Sequence, residues 1–182
     1  MIDPAANTAA LAIAVRAKIR DVPDFPKPGI VFKDIGPLLG DETLFRAVTA
    51  ALCAPFVGQG VTHVVGIESR GFIFGAPVAQ ALRAGFVPVR KPGKLPGRVI
   101  REEYALEYGA DALEMHEDAL GAAARVLIVD DVLATGGTAA ATCRLVERAA
   151  ARVVACVFVL ELGALHGRSK LDARAASALV TY

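Results

Sequence analysis

The chain has 182 residues, of which 54% are hydrophobic and 21% are charged, and its formal net charge is +1. This length fits one domain with a substantial core, and the composition is that of a globular protein, which excludes a disordered chain. A dedicated nucleic-acid-binding protein usually carries a clear basic excess, so the near-neutral charge argues against that class.

The sequence also argues against a membrane protein or a disulfide-stabilised one. The longest charge-free run, residues 47–67, contains a proline, a histidine and three glycines, which interrupt any spanning helix. The three cysteines are far apart and form no Cys-x-x-Cys motif, so neither a disulfide framework nor a zinc site is predicted. No basic segment precedes the short apolar run 11–15, so we expect no signal peptide. We therefore expect a reduced, cytoplasmic protein.

The first third of the chain predicts two helices with an extended stretch between them. Apolar residues at helical spacing predict a helix over residues 8–20. Three prolines then end the helix and favour an extended conformation over residues 24–34. Asp41 is predicted to cap a second helix, from residue 42 to about residue 55.

Beyond residue 60, short apolar runs alternate with helical segments. This alternation predicts an α/β fold, with a mostly parallel twisted sheet flanked by helices, in a single domain over residues 1–182. The predicted strands are 63–67, 86–90, 125–129 and 152–160, and the predicted helices are 71–84, which Gly85 closes, and 136–151.

Residues 91–109 do not fit this alternation. The segment contains prolines, glycines, several charged residues and two tyrosines. In a compact domain, a long polar insert is more often an active-site lid or a hairpin than a plain connection.

The most informative segment is VLIVDDVLATGGT, residues 126–138. A buried strand ends at Asp130 and Asp131, and a Thr-Gly-Gly-Thr turn then opens a helix. Glycines allow a close backbone approach, and the N–H groups and dipole at a helix start favour an anion. The carboxylates would repel phosphate, so they suit a neutral polyol such as a ribose, or a metal ion. The combination indicates a sugar-phosphate site; the alternative is an ordinary strand–turn–helix junction.

A second strand-to-helix turn contains Glu68, Ser69 and Arg70. Ser69 and the forked guanidinium of Arg70 suit a second phosphate group, although a surface turn with a capping Glu is the alternative. Six basic residues lie between residues 83 and 101. Such a run is usually a solvated surface, but it also suits a polyanion.

Both segments resemble motifs of one family. Residues 126–138 strongly resemble the motif with which type I phosphoribosyltransferases bind phosphoribosyl pyrophosphate (PRPP). The resemblance implies that Asp130 and Asp131 hold the ribose hydroxyls. It also implies a cradle for the 5′-phosphate, formed by Ala134, Thr135, Gly136, Gly137 and Thr138.

Residues 68–72 look like the pyrophosphate loop of the same family, which implies a strained, cis peptide within this loop. The resemblance also implies that a cationic wall completes the pyrophosphate site. The wall consists of Arg90, Lys91 and Lys94, although ordinary surface lysines remain the alternative for the last two.

The sequence Glu107-Tyr108-Gly109 resembles the flexible catalytic loop of adenine phosphoribosyltransferases, and we place that lid at about residues 94–110. Transfer at the anomeric carbon passes through an oxocarbenium-like state, from which a closed lid would exclude water. Glu107 is the candidate acid/base, with an exposed hairpin glutamate as the alternative. Tyr108 is predicted to shield the sugar or align the leaving group, and Arg70 is the third predicted catalytic residue.

Residues 24–39 closely resemble the N-terminal hood of the same enzymes, which we expect mainly within residues 1–40. Gly36 departs from the family, which usually has Thr or Ser there. The resemblance implies an adenine site formed by Val31, Phe32, Lys33, Leu133 and Leu162, with backbone groups of Val31 and Lys33 reading the base edge.

The resemblance, from about residue 22 to residue 171, implies purine salvage: adenine and PRPP give AMP and pyrophosphate. It implies Mg²⁺ bound mainly by PRPP, with no dedicated protein ligands, and a homodimer. The alternatives are a phosphoribosyltransferase for hypoxanthine, guanine or xanthine, and a non-catalytic PRPP-binding regulator.

Overall fold

The computed structural model describes residues 4–105 and 110–182. The chain divides after Ala51 into two compact units. Among the described residues, no helix is both long and apolar enough to cross a membrane.

The first unit contains helices and a small antiparallel ribbon. Its elements are α1 (Pro4–Lys18), β1 (Arg20–Val22), β2 (Phe32–Asp34), α2 (Gly36–Leu39) and most of α3 (Glu42–Cys53). Oδ1 of Asp41 accepts a hydrogen bond of 3.1 Å from the N–H of Leu44, which confirms the predicted cap of α3.

Two predictions in this unit need correction. The first helix ends at Lys18, because Arg20 already pairs with Asp34 in the ribbon. The extended conformation predicted for residues 24–34 holds only from Phe32 onward. The preceding residues form turns, in which Asp24 and Gly29 adopt φ values of 57° and 85°.

The second unit is built on a parallel sheet. Its strands are β3 (His63–Ile67), β4 (Gly85–Val89), β7 (Arg125–Leu133), β8 (Arg152–Glu161) and β9 (Ala176–Thr181), in the order β4-β3-β7-β8-β9. All four strand pairs are parallel. The helices α4 (Gly71–Leu82) and α5 (Gly137–Arg148) flank it, so the predicted fold class is confirmed.

The core of this unit lies on the central strand β7 and its neighbours. Val126, Leu127, Ile128 and Val129 are all 0% exposed. An unbroken apolar run is typical of a strand that is covered on both faces. The strand continues through Asp130 and Asp131, beyond its predicted end, because β8 pairs with it as far as Leu133.

A hairpin forms much of the polar insert, for which the sequence predicted either a lid or a hairpin. It consists of β5 (Val99–Ala105) and β6 (Ala110–His116), which pair antiparallel with Tyr104 opposite Asp111. The predicted catalytic residues Glu107 and Tyr108 lie outside the described residues.

Gly85 does not close α4. Arg83 ends the helix in the left-handed conformation, with φ 55°, and Gly85 begins β4. The strand β9 was not predicted, because ASALVT mixes small and polar residues and lies at the sheet edge, where no continuous apolar run is required.

Arg83→Gly is expected to raise the free energy of unfolding by about 0.5–1 kcal/mol, because glycine adopts the left-handed conformation without steric strain. Urea denaturation followed by circular dichroism measures the change. Arg83→Ala is the control, since it removes the same side chain but keeps the Cβ atom. Equal stabilisation by both variants would show that the side chain, and not the backbone conformation, is responsible.

Candidate active site

One edge of the parallel sheet brings the predicted binding segments together. β3 and β7 are parallel neighbours, so the residues that follow them lie at the same edge, where ligands of such sheets bind. Nε of Arg70, after β3, lies 2.9 Å from Oδ2 of Asp131, near the end of β7. The structure therefore joins the two segments that the sequence singled out. The peptide between Glu68 and Ser69 is cis, as the resemblance implies.

Gly71, the first residue of α4, allows this close approach. A Cβ atom on Gly71 would lie 2.8 Å from Oδ1 of Asp130 and 2.8 Å from the carbonyl oxygen of Val129. No side chain tolerates such distances to fixed backbone atoms, so only glycine lets α4 begin against β7.

The two adjacent aspartates are strongly affected by burial. Asp131 is 3% exposed, and its N–H donates a hydrogen bond of 2.9 Å to Oδ1 of Asp130. Burial, together with the neighbouring Asp131 carboxylate, raises the pKa of Asp130 well above its ordinary value. Burial also raises the pKa of Asp131, although the charge of Arg70 opposes this shift. The pair is therefore suited to a ligand that donates hydrogen bonds or brings positive charge.

The turn between β7 and α5 has the geometry of an anion site. Gly136 has φ 76°, and α5 begins at the next residue. The N–H groups of a first helical turn lack intrahelical partners, and the helix dipole favours negative charge there. Next to this turn is a small cavity of about 120 Å³, lined by Asp130, Val132, Leu133, Ala134, Thr135, Gly136, Thr138 and Ala139.

A larger groove, of about 890 Å³, lies at the outer edge of β4. Its lining includes His63, Pro88, His116 and Asp118. The groove contains neither a strand-to-helix glycine turn nor the Asp pair, so its size does not make it the better candidate.

The predicted cationic wall surrounds Glu68. Its carboxylate accepts hydrogen bonds from Nη2 of Arg90 (3.2 Å), the backbone N–H of Lys91 (2.9 Å) and Nζ of Lys94 (2.9 Å). Although burial opposes the shift, these hydrogen bonds lower the pKa of Glu68 to about 2. Glu68 therefore pairs with the cations of Arg90 and Lys94 and also holds the backbone of Lys91.

Lys91 has a second acidic partner, which sequence reasoning did not identify. Its Nζ forms an ion pair with Asp111 and a hydrogen bond of 2.9 Å with the hydroxyl of Tyr104. The Tyr104 hydroxyl also lies 3.5 Å from the hydroxyl of Thr138. No pattern in the sequence identified Asp111, because its position opposite Tyr104 is set by the register of the hairpin.

The hairpin is also tied to α5, the helix that follows the Gly136 turn. The carboxylate of Glu102, on β5, accepts hydrogen bonds from Arg144 (2.6 Å) and Arg148 (3.1 Å), both on α5. The strand β5, which lies within the predicted lid, is therefore fixed to the helix that begins at the Gly136 turn.

The residues predicted for the adenine site lie in both units. Leu133 is 1% exposed, and its carbonyl oxygen accepts a hydrogen bond of 2.9 Å from the N–H of Leu162, so these two residues are adjacent. In the first unit, the ring of Phe32 packs edge-on against Phe25, with ring centroids 5.1 Å apart. Nζ of Lys33 pairs with Asp21 at 2.7 Å, and Val31 is 49% exposed.

Comparison with known proteins agrees with this geometry. The model of the phosphoribosyl transferase domain matches residues 50–177. A curated relative from Myxococcus xanthus, named adenine phosphoribosyltransferase, is 56% identical over 179 residues, which cover 98% of this chain and 97% of the relative. This chain belongs to the adenine phosphoribosyltransferase family.

Solved structures of the family share this fold. The adenine phosphoribosyltransferase of Rhodothermus marinus has a TM-score of 0.92 and 54% identity, covering 96% of this chain and 99% of that one. The Saccharomyces cerevisiae enzyme, solved with an imino-altritol bisphosphate and adenine, has a TM-score of 0.90 and 41% identity, covering 94% and 99%.

Glu68 yields a prediction about acid stability. Its folded pKa of about 2 lies below the ordinary 4.5, so its contribution is complete above pH 4.5 and is lost as the pH falls through 2. We expect a loss of about 1–2 kcal/mol over this range, because solvent screens the half-exposed Lys94.

Urea denaturation at a series of pH values measures this loss. Glu68→Gln removes the titrating group, so the variant should be less stable at pH 7 and should show a flatter dependence below pH 4.5. Glu103→Gln, at an exposed position, is the control and should follow the unmodified protein. Parallel curves for Glu68→Gln and the unmodified protein would show that Glu68 does not cause the loss of stability at low pH.

Proposed function

We propose that this chain transfers the phosphoribosyl group of PRPP to adenine and forms AMP and pyrophosphate. The observation that carries the proposal is the ion pair of Arg70 with Asp131 beside the Gly136 turn. It places a guanidinium, paired carboxylates and a helix N-terminus at one sheet edge, which suits a ribose that carries phosphate at both ends. Family membership supports the choice of adenine.

The 5′-phosphate would bind at the turn that begins α5. Backbone N–H groups from Ala134 to Thr138 would donate to its oxygens, and the hydroxyls of Thr135 and Thr138 would add two donors. Gly136 and Gly137 are both buried and carry no Cβ atom, so the backbone can approach the phosphate closely.

The ribose hydroxyls would donate hydrogen bonds to Asp130 and Asp131. Oδ2 of Asp131 is buried and has no aligned hydrogen-bond donor among the described residues, although Arg70 lies close to it. A hydroxyl group that donates a hydrogen bond to such a buried carboxylate oxygen stabilises its negative charge. The raised pKa of Asp130 has the same consequence, since a donor stabilises its charged form.

The pyrophosphate would bind Ser69, Arg70 and the cationic wall. Glu68 and Asp111 hold the wall in place before the substrate arrives. A doubly charged phosphate group competes with these carboxylates for Lys91 and Lys94, which are 37% and 51% exposed in their side chains and therefore accessible.

Magnesium fits this arrangement as an ion held chiefly by PRPP. Among the described residues, no group of three or more His, Cys, Asp or Glu side chains could hold a metal ion by itself. Mg²⁺ characteristically keeps few protein carboxylates and binds substrate phosphates, so PRPP would supply most of its ligands. When bound, the ion neutralises negative charge that develops on pyrophosphate.

Leu133 and Leu162 would supply apolar contacts to adenine, and the backbone of Val31 and Lys33, on either side of Phe32, would read the edge of the base. The bond from the anomeric carbon to pyrophosphate breaks as the bond from that carbon to the purine nitrogen forms. That nitrogen loses its proton, which Glu107 would accept, while Tyr108 shields the sugar. We also propose that the chain forms a homodimer and acts in the cytoplasm.

Base competition tests the function directly. With PRPP and magnesium, the chain should form AMP from adenine in preference to products from guanine, hypoxanthine or xanthine. Faster turnover of another purine would replace adenine in the proposal, and PRPP binding without turnover of any base would indicate a regulator.

Glu107→Ala is expected to lower kcat by about 10²- to 10⁴-fold, the usual contribution of a general acid/base, while the KM for PRPP changes little. Glu103→Ala is the matched control, since it removes an exposed carboxylate from β5. Steady-state kinetics with both substrates distinguish the two variants. An unchanged kcat for Glu107→Ala would remove this residue from the mechanism.

A further inference from the structure

Residues 162–171, the first part of the connection from β8 to β9, lie against residues 134–138, which we call the phosphate turn; we call residues 162–171 the buttress loop. It contains two short 3₁₀ turns, Gly163–Leu165 and Gly167–Leu171. Sequence reasoning assigned a role only to its first residue, Leu162. The loop begins where the N–H of Leu162 binds the carbonyl oxygen of Leu133 at 2.9 Å.

The backbone of Gly167 touches the backbone of the phosphate turn with no side chain between them. A Cβ atom on Gly167 would overlap the carbonyl oxygen of Ala134 and would lie 3.0 Å from the backbone nitrogen of Gly136. Conversely, a Cβ atom on Gly136 would overlap the carbonyl oxygen of Gly167 and would lie 2.9 Å from its carbonyl carbon. Both glycines are buried, so the two backbones pack directly against each other.

The buttress loop is anchored independently of the phosphate turn. Nε of Arg168 donates to both carboxylate oxygens of Glu161 at 2.8 Å, and Nη2 lies 2.7 Å from Oε2. Nη1 of Arg168 donates to the carbonyl oxygen of Ala176 at 2.6 Å. Glu161 is 6% exposed and Leu171 is 1% exposed, so an ion pair with a buried carboxylate and a core residue both hold the loop close to Gly167.

We propose that Gly167 is a positioning residue for the 5′-phosphate, and that the buttress loop sets the backbone position of Ala134 to Gly136. The inference rests on the proposed function, which places the 5′-phosphate at this turn. Anion binding by backbone N–H groups requires that these groups already point at the ligand, and a displacement of about 1 Å can cost a large part of the interaction. Because the same loop begins at Leu162, it also connects the 5′-phosphate turn to the residues proposed for the base.

Gly167→Ala tests this role, with Gly121→Ala as the matched control. Gly167 does not have a left-handed φ, so the added methyl group acts only through its contacts with Ala134 and Gly136. A Cβ atom on Gly121 meets nothing within 4 Å, and its φ is not left-handed either. Isothermal titration calorimetry with AMP and, separately, with pyrophosphate in magnesium buffer provides the two measurements.

We expect Gly167→Ala to weaken AMP binding about tenfold or more, the equivalent of one lost charge-assisted hydrogen bond, and to leave pyrophosphate binding unchanged. Gly121→Ala should change neither affinity. Equal weakening of both ligands would show a general structural defect and would overturn the proposal. So would AMP affinity equal to that of the Gly121→Ala control.

Arg168→Lys keeps the proposal testable if Gly167→Ala does not fold. Lysine retains the charge beside Glu161 but lacks the fork that also reaches Ala176, so the loop should loosen. AMP binding should weaken by a smaller factor than in Gly167→Ala, again without a change for pyrophosphate. Unchanged AMP binding in this folded variant would count against the buttress loop.

Thr138→Val separates this inference from the proposed function. If the substitution leaves AMP affinity unchanged, the 5′-phosphate does not bind at this turn, and the placement of the site and the role of Gly167 both fail. If Thr138→Val weakens AMP binding while Gly167→Ala does not, the site stands and only the positioning role is wrong.

Discussion

Parallel pairing of β3 with β7 brings the end of each strand to one sheet edge, where Arg70 meets Asp131. The pairing alone would not bring Arg70 to Asp131, because α4 also has to begin directly beside β7. Gly71 permits this, since any side chain there would collide with Asp130 and Val129. This contact between a helix start and a neighbouring strand brings the turn that contains Arg70 next to the aspartate pair.

The charges at the site are balanced inside the protein. Glu68 holds Arg90 and Lys94, Asp111 holds Lys91, and Arg70 accompanies the buried Asp131. An uncompensated cluster of cations would be strained by mutual repulsion, and unpaired buried carboxylates would be costly. Internal partners pair both groups without ligand, and in the proposed function the phosphates and hydroxyls of the substrate would take the place of these partners.

Two separate elements support the turn that begins α5. The buttress loop contacts it through Gly167, and the hairpin reaches it through the hydroxyls of Tyr104 and Thr138. Glu102 then fastens the same hairpin to α5 through two arginines. A turn with so few side chains has little rigidity of its own, so its precision has to come from its neighbours.

The sequence by itself determined four strands of the parallel sheet, its two flanking helices and the residues of the central motif. The unbroken apolar run before Asp130 could only be a buried strand or a short buried helix, and the glycines after it favoured a turn. Local patterns of this kind depend on residues close together in the chain. The errors, such as Arg83 in place of Gly85 and the missed β9, occurred where neighbouring elements decide the conformation.

Only the tertiary structure decided which residues meet. Glu68 and Lys94 are far apart in the chain, and Gly136 and Gly167 are separated in the chain by α5 and β8. Strand order and register set such pairs, and neither leaves a periodic signal in the sequence. Asp111 and Gly167 therefore gave no sign of their positions, whereas Asp130, Asp131 and the glycine turn did, because their chemistry lies in consecutive residues.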